Sequence, residues 1–124
     1  IILSDLYIGT DIVDVERIKA SIDNYQTRFI NRVFSIEEQE YCNSKSIPEM
    51  HYAGRFAAKE AIIKALKSGG FTQLFNLNDI KIINCSDGSP HVELGFDYKG
   101  EIKVSISHTQ THAVAFAISK IDNR

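Results

Sequence analysis

The sequence is short of the residues that mark several protein classes. It has no tryptophan, one methionine, two prolines and two cysteines in 124 residues. Two cysteines make no disulfide framework, and neither Cys42 nor Cys85 sits in a pair with metal-ligand spacing. They read as two reduced, partly buried thiols of a cytoplasmic protein. Charge of neither sign dominates: 14 basic residues face 16 acidic ones, for a net −2. That balance gives no support to nucleic-acid binding, so a charged partner must meet a local patch. No apolar run approaches the roughly 18 residues of a membrane span, and no membrane association is expected. The opening Ile1-Ile2-Leu3-Ser4-Asp5 has neither a basic n-region nor a cleavage site. Gly-x-Gly-x-x-Gly runs, Walker loops and Gly-x-Ser-x-Gly elbows are all missing, which disfavours ordinary NTP, dinucleotide and serine-hydrolase sites.

What is present is an ordinary globular composition, 44% apolar and 24% charged. It suits a single domain over residues 1–124, without repeats or low-complexity tracts. Residues 6–13 mix β-branched and aromatic side chains and predict a strand. A helix should start near Asp14 or Val15, with Ile18 and Ile22 on one face. Ser35-Ile36-Glu37-Glu38 is a capping box that opens a short helix through about Cys42. After a polar loop, Pro48 suits the first turn of the main helix, expected over residues 49–67. That helix is rich in Ala and Leu and should stop at Ser68-Gly69-Gly70.

The second half reads as strands. Residues 80–85 and 91–94 flank the turn Ser86-Asp87-Gly88-Ser89-Pro90. Ile102, Val104 and Ile106 alternate with Lys103, Ser105 and Ser107, a half-buried pattern. Residues 113–119 are small and apolar on both faces, as in a central strand. Helices first and an antiparallel meander second imply an α+β domain: helices packed on a small antiparallel sheet, with one long central helix.

Three places could carry chemistry. Asp11 stands in an apolar strand, where a carboxylate needs a partner or a metal. The alternative is a strand-end turn residue. From His51 to Gly70 the main helix carries Arg55, Lys59, Lys64 and Lys67 against the single acid Glu60. Phe56, Glu60 and Lys64 share one face at i, i+4, i+8, so Glu60 and Lys64 could be a plain surface pair. A lone carboxylate in a basic stripe can also hold Mg²⁺ while lysines neutralise the phosphates the same ion binds. Strand-on-helix packing that brought Asp11 to Glu60 would complete such a site. In Ser105-Ile106-Ser107-His108-Thr109, neighbouring residues of a strand point to opposite faces, so Ser107 is not the nucleophile of His108. Phosphate and ribose contacts suit these residues better, the plain alternative being an edge histidine.

Taken together, three segments resemble one family. They are Gly9-Thr10-Asp11-Ile12-Val13 followed by Arg17-Ile18, Gly54-Arg55-Phe56-Ala57-Ala58-Lys59-Glu60-Ala61 with Lys64-Ala65, and Ser105-Ile106-Ser107-His108 with Ala113 and Ala115. In order and spacing they are similar to the holo-[acyl-carrier-protein] synthases, the short class of 4′-phosphopantetheinyl transferases. The resemblance implies the fold of that class and transfer of 4′-phosphopantetheine from coenzyme A to a serine of apo-acyl carrier protein. Adenosine 3′,5′-bisphosphate is then released, in support of fatty acid biosynthesis. It implies Asp11 and Glu60 as Mg²⁺ ligands and Lys64 beside the diphosphate, the three forming the catalytic set. Arg55, His108 and Thr109 are implied as nucleotide contacts, Phe56 as part of the coenzyme wall, and Pro90 as part of a loop near the adenine. A homotrimer with sites between subunits is implied as well. The base for the serine proton stays open between Glu60 and a metal-bound water.

Acyl carrier proteins are acidic, and Arg17, Arg28 and Arg32 would offer a local docking patch despite the net −2. One departure is plain: Lys67 stands where the family usually has glycine, which argues for an added charge contact or a longer helix. Two rival readings use the same residues. One is a Mg²⁺-dependent nucleotide phosphohydrolase, and the other a non-catalytic oligomeric binding module.

Overall fold

Strand β1 (Ser4–Asp14) opens the computed structural model, which describes residues 4–122. Ile1, Ile2 and Leu3, considered above as part of the leader reading, lie outside the described residues. Four helices follow: α1 (Val15–Tyr25), α2 (Thr27–Val33), α3 (Ile36–Asn43) and α4 (Pro48–Ser68). Then come a short 3₁₀ turn, Leu77–Asp79, and strands β2 (Ile80–Asn84), β3 (Pro90–Leu94), β4 (Gly100–His108) and β5 (His112–Asp122). The α+β class and the long central helix are as the sequence implies. The strands, however, do not form one meander. β1, β5 and β4 make an antiparallel sheet with β5 in the middle, while β2 and β3 pair separately as a hairpin.

Local chemistry explains the boundaries. Gln26 takes a left-handed φ of 49°, which ends α1 and starts α2 at a new angle. The capping box is formed: Ser35 Oγ accepts from the Glu38 amide, and Glu38 accepts from the Ser35 amide. Pro48 occupies the first turn of α4, and Gly70, rather than Gly69, takes the left-handed conformation beyond its end.

The core sits between α4 and the inner face of the three-stranded sheet. Ala53, Ala57, Ala61 and Ala65 of α4 meet Ala113, Ala115 and Ala117 of β5, and all are fully or nearly fully buried. Small residues on both sides let helix and sheet approach closely. Gly9 marks the closest point. A Cβ there would lie 1.9 Å from the Ala61 carbonyl oxygen, so only glycine lets β1 cross the helix at this distance.

The two cysteines differ more than expected. Cys42 is buried, and desolvation pushes its thiol up to about 12, whereas Cys85 is exposed.

Candidate active site

The close crossing at Gly9 positions Asp11. Odd-numbered β1 residues face inward, so Asp11 shares the helix-facing side with Gly9 and Val13. There Lys64 Nζ donates to Asp11 Oδ1 at 3.2 Å and to the Thr10 carbonyl at 2.9 Å. The plain Glu60–Lys64 surface pair, the alternative reading, is not formed. Lys64 turns to the strand instead. Glu60 is half-buried one turn earlier. Burial first, and then the Asp11 charge, raise its carboxyl above the ordinary range, while Lys64 and Lys67 pull it back. Two carboxylates and two ammonium groups thus share one corner. Among the described residues no group of three or more His, Cys, Asp or Glu gathers to enclose a metal. A pair of carboxylates open to solvent suits Mg²⁺, which keeps waters and takes substrate phosphates as further ligands. Lys67, the departure noted above, is exposed near the end of α4, and its charge reaches Glu60.

A second cluster lies elsewhere on the same helix. Arg55 and Glu60 are five residues apart, about 140° around the axis. Arg55 is only 5% exposed. Its guanidinium lies 4.0 Å over the Tyr41 ring and donates to Asn84 Oδ1, while its Nε is buried without a partner. His51, His108 and Pro90 line the same cleft, of about 160 Å³. Arg55, His108 and Pro90 are therefore brought together in one cleft. Tyr41, Asn84 and His51 were missed. Tyr41 and Asn84 arrive from α3 and β2 and left no local signal. His51 could have been found, because it precedes Arg55 by four positions.

The other candidate residues are placed away from these two clusters or outside them. Lys59 is no part of a basic stripe available to phosphate. It is fully buried and bonds Glu38 Oε1 at 2.8 Å, with the Val33 and Leu77 carbonyls as further acceptors. Phe56 is absent from the lining of the Arg55 cleft and packs on Phe29 of α2, ring centroids 6.3 Å apart. The Thr109 hydroxyl is engaged in the β4–β5 turn, where it accepts from the Thr111 and His112 amides. Ser105 and Ser107 are exposed on the outer face of the sheet, opposite His108. The arginines divide as well. Arg28 and Arg32 flank a depression with Ser21, Tyr25 and Phe29, whereas Arg17 borders another with Asp14, Glu16 and His112.

Residues 7–117 match the 4′-phosphopantetheinyl transferase superfamily. The chain belongs to that superfamily. All the candidate residues, from Asp11 to Thr109, fall inside the matched span. Among its relatives is a holo-[acyl-carrier-protein] synthase of Protochlamydia amoebophila, 44% identical, with 91% of this chain and 96% of the relative covered. Another, of Thermodesulfovibrio yellowstonii, is 47% identical over 90% of this chain and 95% of its own. Solved structures of the superfamily share the fold. A holo-[acyl-carrier-protein] synthase of Helicobacter pylori in complex with coenzyme A superposes with a TM-score of 0.77 at 28% identity, covering 90% of this chain and 98% of that one. One from Bacillus anthracis, in complex with CoA (3′,5′-ADP), gives 0.77 at 28% identity, with 94% and 96% covered.

Proposed function

We infer that this superfamily member transfers the 4′-phosphopantetheine group of coenzyme A to a serine of apo-acyl carrier protein, as holo-[acyl-carrier-protein] synthase. The observation that carries the reading is the pair of clusters on α4. One offers carboxylates and a lysine to a diphosphate, and the other a buried arginine to a nucleotide. The serine oxygen attacks the phosphorus that bears pantetheine, the bond to adenosine 3′,5′-bisphosphate breaks, and the serine proton leaves to a base. Phosphoryl transfer asks a protein mainly for positioning and charge neutralisation. Lys64, held by Thr10 and Asp11, would neutralise the leaving phosphate. Asp11 and Glu60 would hold Mg²⁺, which when bound supplies Lewis-acid activation of the diphosphate. Arg55, His108 and Pro90 serve the nucleotide. The placements of Phe56 and Thr109 lend no support to their assignment as coenzyme contacts within one chain.

The assembly is a homotrimer in this reading. Two features support sites shared between subunits. The carboxylate corner and the arginine cleft lie on different sides of α4, so each is half a site. The outer face of the sheet also carries uncovered large apolar side chains, with Leu6 65%, Ile12 67% and Phe116 45% exposed. Free Cys42 and Cys85 fit a reducing cytoplasm, where carrier-bound acyl chains are built during fatty acid synthesis. Among the described residues no helix is long and apolar enough to cross a membrane. The carrier would dock on α1 and α2, through Arg28, Arg32 and Arg17, against its acidic surface.

The direct test is the intact mass of an apo-acyl carrier protein incubated with this protein, coenzyme A and Mg²⁺, beside an EDTA control. A phosphopantetheine adduct formed only with metal is expected. Coenzyme A cleaved without an adduct would replace the reading with a phosphohydrolase, and intact coenzyme A without an adduct would favour a binding module.

A second experiment tests the shared site. Glu60→Gln and Arg55→Met should each be inactive alone, because each disables one half. Mixed and reassembled one to one, they should regain about a quarter of wild-type activity, since random pairing joins two intact halves that often. No recovery, with subunit exchange demonstrated, would place both halves of a site in one chain.

A further inference from the structure

His51 stands out among the residues that the transfer reading leaves unassigned. It lies in the fourth position of α4, half-buried, and lines the cleft of Arg55 and His108. Its ring meets the His108 ring edge-on at 5.3 Å and the Tyr41 ring at 5.8 Å. Among the described residues neither the half-buried His51 ring nor the exposed His108 ring makes a hydrogen bond, and the one buried polar atom in the cleft without a partner is Arg55 Nε. Buried polar groups are rarely left so. Three nitrogen-bearing side chains converge on one small cleft with unused capacity to donate.

Three groups oppose a charge on His51: His108 on β4, Lys45 after α3, and Arg55 on α4. Such a cleft is built for a compact group with more than one negative charge. Coenzyme A carries two kinds of phosphate, a diphosphate and a single phosphomonoester on the ribose. The carboxylate corner accounts for the diphosphate. The phosphomonoester remains, and as a near-dianion with three acceptor oxygens it matches the cleft.

We propose that His51 is a third cationic contact, beside Arg55 and His108, to the ribose phosphomonoester of coenzyme A. The proposal rests on the transferase reading and adds to it a residue that discriminates coenzyme A from its dephosphorylated form. Without ligand, burial and then the neighbouring cations hold His51 below the ordinary histidine value, so it is largely neutral near pH 7. A phosphate dianion beside it favours the charged ring. Binding should therefore take up a proton at His51.

Calorimetry in two buffers of different ionisation enthalpy tests this, with adenosine 3′,5′-bisphosphate and dephospho-coenzyme A as probes. Wild type and His51→Phe are compared; phenylalanine preserves the ring contacts with Tyr41 and His108. The phosphate's own proton balance is common to both proteins, so their difference isolates His51. The variant is expected to bind the bisphosphate about tenfold more weakly, the worth of one charge-assisted hydrogen bond. It should also take up less proton, and dephospho-coenzyme A should bind both proteins alike. His51→Gln, which can donate but does not titrate, should retain most of the affinity and lose the same share of proton uptake. It also serves if the phenylalanine variant does not fold. Unchanged proton uptake, or an equal loss for dephospho-coenzyme A, would overturn the His51 assignment while leaving transfer intact. Failure of wild type to bind either nucleotide would remove the transferase reading itself, and the His51 contact with it.

Discussion

Glu60→Gln should abolish metal-dependent transfer while leaving the fold intact. The substitution keeps the size and the half-buried position and removes only the charge. That charge is costly in the free protein, because burial and the Asp11 carboxylate both oppose it. A group held at such cost, in a corner shared with a second carboxylate, is one that a cation would relieve. Lewis-acid stabilisation contributes several kcal/mol, so turnover should fall on the order of a thousandfold. The metal-free variant should be as stable as wild type or slightly more so, since the repulsion is gone. Wild type should gain thermal stability with added Mg²⁺ by mass action, and the variant should not. Near-normal turnover of the variant would remove Glu60 from the metal site.

The same shift fixes the sign of the pH effect. The folded carboxyl of Glu60 lies above its ordinary value, so the folded protein holds a proton there that the unfolded chain has already lost. Its contribution to metal-free stability declines as pH rises through that window. Protons also compete with Mg²⁺ at a higher pH than they would at an ordinary carboxylate. The metal-induced gain in stability should accordingly fade early on the acid side.

How legible the molecule was in its sequence depended on whether a signal was local. Asp11 was legible because a carboxylate in an apolar strand demands a reason, and Gly9 beside it supplied the close crossing. The capping box of Ser35 and Glu38 was legible because both partners lie within one turn. The second task of Glu38 was not. Its Oε2 accepts from the Ile82 amide, and its Oε1 receives Lys59 from a helix far along the chain. In sequence, Lys59 looks like its neighbours Lys64 and Lys67, which stay exposed. Nothing local separates a lysine that meets a buried acid from one that meets water. The Arg55 cleft was half legible for the same reason: its walls come from α3, α4, β2, β3 and β4. The split of the strands into two sheets was likewise invisible, because β2 and β4 each show ordinary strand patterns and only pairing distinguishes them.

Lys59→Met is the substitution expected to cost most stability, about 3–5 kcal/mol. Lys59 and Glu38 are both fully buried, and apart from the capping bond within α3 every bond of the pair is a tie between elements. Glu38 belongs to α3 and receives the amides of Ser35 and, from β2, Ile82. Lys59 belongs to α4 and reaches the carbonyls of Val33, at the end of α2, and Leu77, just before β2. Burial pulls the Lys59 ammonium below the ordinary lysine value, and Glu38 opposes that pull. Methionine fills the same space but leaves the Glu38 carboxylate buried opposite no cation, which is the costly way to break such a pair. The double variant Lys59→Met/Glu38→Gln should therefore be more stable than Lys59→Met alone, since the amide carries no charge and still accepts from a backbone N–H. Urea unfolding of the two singles and the double gives the coupling directly. The consequence reaches the site, because β2 carries Asn84, which holds the Arg55 guanidinium. Nucleotide binding should weaken in Lys59→Met and recover in part in the double variant. A loss below about 1 kcal/mol, the worth of an exposed pair, would mean that the Lys59 ammonium is not sealed from water and does not fasten the cleft wall to α4.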